Sequence, residues 1–61
     1  MASKMFPSIE YHERGEVKYE WLGEYWEFTV KHSGSGNTFI DACTRLNDAR
    51  RLVATMIGKK I

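Results

Sequence analysis

The stretch KYEWLGEYWEF, Lys18 to Phe28, holds five of the chain's eight aromatic rings in eleven positions. Val17, Tyr19 and Trp21 alternate with Glu16, Lys18 and Glu20, and beyond Leu22-Gly23, Trp26, Phe28 and Val30 alternate with Tyr25, Glu27 and Thr29. A period of two belongs to half-buried strands, so the stretch predicts a β-hairpin. With Leu22-Gly23 at the tip, Tyr19 faces Trp26 and Val17 faces Phe28 on one side, while Lys18 faces Glu27 and Glu20 faces Tyr25 on the other. This register sends Tyr19, Trp21, Trp26 and Phe28 to a core and leaves Tyr25 outward among carboxylates. Leucine is a poor first centre for a type I′ turn, which leaves a four-residue tip with the same pairing open.

Working outward, IEYHERGEVKY reads as an earlier strand ending near His12. Gly15 suits a left-handed bulge position closing a three-residue loop, which sets Tyr11 opposite Val17 and Ile9 opposite Tyr19. His12, at that loop, is expected to be solvent-exposed and without a role. Downstream, HSGSGNTFIDA is a flexible turn leading into a short strand from Asn37 to Ala42. An even loop places Phe39 inside and an odd one Ile40 and Ala42, with Phe39 favoured. From Leu46 the period changes. Leu46, Ala49, Leu52, Val53, Met56 and Ile57 recur at three and four, one face of a helix from Arg45 to Ile57. Thr44 is its expected N-cap and Gly58 its C-terminal glycine. Lys59 and Lys60 complement the negative end of the helix dipole.

The predicted architecture is α+β: a small antiparallel three- to four-stranded β-meander packed on one C-terminal amphipathic helix, spanning residues 7–61 behind a flexible N-terminus of residues 1–6. Sixty-one residues allow one domain with a thin stability margin. The lone Cys43 has no disulfide partner in the chain, and with only His12 and His32 beside it no zinc spacing exists, so the core must hold by packing or with help from a second chain. No metal and no cofactor is expected. No apolar run approaches the ~20 residues needed to cross a bilayer and the start does not read as a signal peptide, so a cytoplasmic protein is expected.

The segment GEYWEFTVKHSGSGNTFIDACTRLNDARRLVATMI carries a ring-rich strand (Trp26, Phe28), a glycine-containing turn (Gly34, Gly36) and a helix start at Thr44 followed by RLNDA. In this it resembles small phage and prophage accessory proteins built as a β-meander closed by a C-terminal helix. The order of elements is also similar to the arm-binding domain of phage-type tyrosine integrases and, more distantly, to the antitoxin half of HicA/HicB-type systems. The likeness concerns architecture. It implies phage origin and, with it, the cytoplasm of the host cell; the integrase likeness implies DNA binding through the open sheet face.

Charge argues against carrying that DNA-binding role over. The net charge is +1, and the predicted open face holds Glu16, Lys18, Glu20, Tyr25, Glu27, Thr29 and Lys31, a poor match to phosphates. A basic surface at the helix, from Arg45, Arg50, Arg51, Lys59 and Lys60, is the nucleic-acid alternative, although Asp48 interrupts it and such a run is usually a solvated face. His32, Asp41 and Cys43 supply the residue types of a nucleophilic site, but the predicted sheet keeps His32 and Cys43 apart, and no phosphate loop, dinucleotide fingerprint or HExxH occurs. The expectation is a non-enzymatic module that binds a protein partner through Glu20, Tyr25 and Glu27. The same residues read equally well as a solvated face with a Lys18–Glu27 pair. Short sheet edges also allow a homodimer.

Overall fold

The computed structural model of the chain describes residues 9–61, so the expectation for residues 1–6 lies outside the described residues. Strands β1 (Glu10–His12), β2 (Gly15–Trp21), β3 (Trp26–His32) and β4 (Thr38–Cys43) are followed by helix α1 (Leu46–Ile57). The strands form one antiparallel sheet in the order β1-β2-β3-β4, with α1 packed across one face. The fold is thus the α+β meander with a covering C-terminal helix that the periodicities predict, with four strands.

The core is Val17, Phe28 and Val30 from the sheet against Ala49, Val53 and Ile57 from the helix, with Tyr19, Cys43 and Met56 packed around it. The helix residues lie at spacings of four, one stripe of the 3.6-residue repeat. The helix begins one residue later than expected. Arg45, not Thr44, is the N-cap and supplies no side-chain hydrogen bond. Gly58 ends the helix at a positive φ (83°) that favours glycine, with ψ −167° extended and not left-handed helical, and donates its N–H to the Ala54 carbonyl.

The central hairpin has a four-residue tip, Leu22 to Tyr25, closed by the Leu22 N–H donating to the Tyr25 carbonyl at 2.9 Å. Its pairs are Trp21 with Trp26, Tyr19 with Phe28, Val17 with Val30, Lys18 with Thr29 and Glu20 with Glu27. The longer tip therefore does not keep the expected pairing; it shifts it by two residues. A shift of two preserves the face of every side chain, so the division into inner and outer sets stands while the cross-strand partners change. Burial is less complete than the inner set implies. Phe28 is fully buried and Tyr19 and Trp26 are half-buried, but Trp21 is exposed, its ring tilted against that of Trp26 with the centroids 5.4 Å apart at the end of the hairpin.

β1 differs by one residue, which inverts it. Its pairs with β2 are Glu10 with Val17, Tyr11 with Glu16 and His12 with Gly15, so the loop is the two residues Glu13 and Arg14. Tyr11 is consequently exposed on the open face, and Glu10 and His12 turn toward the helix, with His12 buried rather than exposed. The reason lies in Gly15. It does not adopt a left-handed conformation. It is glycine because a Cβ there would collide with the Lys31 carbonyl oxygen and the Ile57 side chain. The short loop is fixed from the helix end, since the Arg14 N–H donates to the Ile57 carbonyl at 2.8 Å and the Glu13 N–H to the Lys59 carbonyl at 3.0 Å.

The last residues continue this contact. His12 bridges antiparallel to Lys60, and the Ile61 N–H donates to the Tyr11 carbonyl at 2.9 Å, so the C-terminus runs beside β1 and covers that edge of the sheet. At the other edge, the β3–β4 loop is Ser33 to Gly36, with the His32 N–H donating to the Asn37 carbonyl. This even loop pairs Val30 with Phe39 and Thr29 with Ile40. Phe39 therefore shares the helix side of the sheet, as expected, but stays outside the core cluster and remains exposed against the His32 ring, 5.4 Å away.

Candidate functional site: the open sheet face

The face of the sheet away from α1 is built in three cross-strand rows. Tyr11, Glu16, Lys31 and Thr38 form the first, Lys18, Thr29 and Ile40 the second, and Glu20, Glu27 and Ala42 the third. In the third row two glutamates are direct cross-strand neighbours. Like charges in that position destabilise an antiparallel pair. Neither Glu20 nor Glu27 has a cation within ion-pair distance among the described residues. The expected Lys18–Glu27 pair is replaced by Lys18 opposite Thr29.

Tyr25, 40% exposed, stands at the tip beside this row, and Ile40, 67% exposed, stands one strand over. With Glu27, Ala42 and Thr44 they border a shallow depression of about 490 Å³. The structure thus brings Tyr25 and Glu27 to one concavity, with Glu20 across the ladder from Glu27. Ile40 is the member that sequence reasoning missed. The length of the β3–β4 loop decides its face, and a run of Ser and Gly does not declare that length.

The five cations of the helix and its flanks are divided. Arg50 pairs with Glu10 (3.2 Å) and lies over the Tyr19 ring, 5.2 Å from its centre. Lys60 reaches the same Glu10 carboxylate at 3.6 Å. Arg45 caps the start of α1 and Lys59 follows its end, about 18 Å apart for a twelve-residue helix. Arg45, Arg51 and Lys59 carry no ion pair among the described residues.

Glu10 is the centre of a cluster that inversion of β1 creates. Its carboxylate meets His12 Nε2 at 3.2 Å, Arg50 and Lys60, while His12 Nδ1 donates to the Gly58 carbonyl at 2.8 Å. Burial acts to raise the Glu10 carboxyl, but the His12 hydrogen bond and the charges of Arg50, Lys60 and His12 outweigh it and hold the group below its ordinary value. Tyr19 sits beside the cluster. Burial, reinforced by the Glu10 charge against the opposing pull of Arg50, pushes its hydroxyl up to about 12.

Cys43 lies opposite Trp26 at one end of β3 and His32 occupies the other, six residues or about 20 Å along the strand. Partial burial and the carboxylates of Asp41 and Asp48 push the Cys43 thiol up, away from the reactive thiolate. Among the described residues no group of three His, Cys, Asp or Glu side chains is placed to hold a metal ion, and no helix is long and apolar enough to cross a membrane. Comparison with models of known protein families, with characterised proteins and with solved structures gives no match.

Proposed function

We propose that the chain is a non-enzymatic binding module that engages a basic segment of a protein partner through the open sheet face, with Tyr25 as the aromatic anchor and Glu20 and Glu27 as the charged contacts. The observation that carries this reading is the Glu20–Glu27 pair. Like-charged residues at facing cross-strand positions disfavour the sheet, and an arginine or lysine placed between Glu20 and Glu27 would relieve that on binding. Tyr25 and Ile40 supply the apolar surface next to the charge, the combination that central contacts of protein interfaces use. The likeness to phage and prophage accessory proteins fits a small module that acts by binding, and the host cytoplasm is the compartment this reading implies.

Nucleic-acid binding through Arg45, Arg50, Arg51, Lys59 and Lys60 is the weaker reading. Two of the five are already spent on Glu10, and the others are spread from the start of the helix (Arg45) through its middle (Arg51) to beyond its end (Lys59). The experiment is affinity capture from the native host, with and without nuclease, using the wild-type chain and a Tyr25→Ala/Glu27→Lys double variant. A protein retained through nuclease treatment and lost with the double variant is the expected result. The same partners on both baits would exclude this surface, and partners that vanish with nuclease would favour the basic residues.

A further inference from the structure

We propose that β4 pairs antiparallel with β4 of a second copy of this chain, about a two-fold axis at Ile40, to make one continuous eight-stranded sheet. The inference does not rest on the proposed function, although Ile40 borders both the seam and the open-face depression. Lys60 and Ile61 run beside β1, and β1 itself covers β2 only over Gly15–Val17, so among the described residues β4 is the edge open along its whole length. The direction of its backbone groups follows from the loop. Since the His32 N–H donates to the Asn37 carbonyl, Asn37, Phe39 and Asp41 address β3, and Thr38, Ile40 and Ala42 present their N–H and C=O groups outward. The Ala42 N–H accordingly donates to its own neighbour, the Asp41 carboxylate, at 2.8 Å.

A two-fold axis at Ile40 matches these outward groups to themselves: Ile40 faces Ile40, and Thr38 and Ala42 exchange partners between copies. The only charge on the strand, Asp41, then stands opposite Phe39 of the second copy and not opposite itself, so the register places no like charges face to face. Apolar surface lines both sides of the seam. Ile40 is 67% exposed on the open face and Phe39 47% exposed on the helix side. Leu52, also exposed, belongs to the helix flank that turns toward β4: Arg50 on the opposite flank reaches Glu10 and Tyr19, whereas Asp48, one turn before Leu52, acts on Cys43. Pairing through β4 about a two-fold axis is self-complementary and closes at two chains, since each copy has a single β4.

Sedimentation equilibrium on the full chain over a wide dilution series tests this. The wild-type chain is expected to reach twice the chain mass at high concentration. Ile40→Lys, which sets two lysines together at the axis, and Ile40→Pro, which removes an outward N–H but no bond to β3, are expected to stay at the single-chain mass with unchanged far-ultraviolet circular dichroism. A wild-type chain that remains single throughout, a mass beyond two chains, or a dimer that persists in folded Ile40→Lys overturns the proposal. The lysine variant decides alone where the proline variant loses its fold.

Discussion

His12 Nδ1 lies 2.8 Å from the carbonyl oxygen of Gly58, forty-six residues away, and this bond ties the first strand to the end of the helix. The other ring nitrogen faces Glu10. Both partners accept, so the two contacts act together as hydrogen bonds only when each ring nitrogen carries a proton. Removing the ring leaves the buried Gly58 carbonyl without its side-chain donor. His12→Ala is expected to cost about 1–3 kcal/mol in urea denaturation and to lower hydrogen-exchange protection at Glu13 and Ile61, whose N–H groups belong to the same junction. Wild-type stability in the variant would mean that the junction does not depend on His12.

The Glu10 carboxyl gives the fold an acid limit. Its folded value lies below the ordinary one near 4.5, so the ionised group favours the folded state. That contribution is fully present above the unfolded value and is lost as pH falls through the folded value. The stability gap between wild type and Glu10→Gln should therefore be widest at about pH 7 and shrink steadily below about pH 4. A gap that does not change over this range would show that the charge of Glu10 contributes nothing.

At Gly15 the constraint is space. A methyl group there meets the Lys31 carbonyl oxygen and the Ile57 side chain, so β2 must move away from β3 or the helix from the sheet. Gly15→Ala is expected to lower stability by about 1–3 kcal/mol despite the lower backbone entropy of alanine in the unfolded chain. Gly34 has open space around its α-carbon and no left-handed requirement, so Gly34→Ala serves as the control and should stay near wild type.

Glu27→Lys separates stability from binding. Replacing one of two facing carboxylates by an amine converts repulsion into attraction, and the free protein should gain up to about 1 kcal/mol in thermal or urea unfolding. The proposed function requires the same change to weaken partner binding, the usual conflict between a stable surface and a functional one. A destabilised Glu27→Lys chain would remove the observation on which that proposal stands.

The elements themselves were legible because alternation and the three-four repeat depend only on which side of each element meets the core. Val17, Phe28 and Val53 are buried for that reason. Turn lengths were less legible. The tip after Trp21 is two residues longer than the shorter expectation, which moved Glu20 from Tyr25 to Glu27 without altering its face. The turn after His12 is one residue shorter, and that single residue reversed the roles of Tyr11 and His12. Gly15 was misleading because a glycine needed for close approach and one needed for a left-handed backbone look alike in a sequence. Of the candidate site, Tyr25, Glu20 and Glu27 were readable from alternation alone. Their juxtaposition with Ile40, and the commitment of Arg50 and Lys60 to Glu10, come from tertiary packing that no local pattern encodes.

The most direct test of the open-face account is site-specific photo-crosslinking in the cells from which the protein derives, with a photoreactive phenylalanine analogue at Tyr25 in one chain and at Arg51, on the helix, in another. The account predicts a discrete protein adduct from position 25 that persists after nuclease treatment and none from position 51. Adducts confined to position 51, or no adduct at position 25 while the chain is folded and expressed, would contradict it.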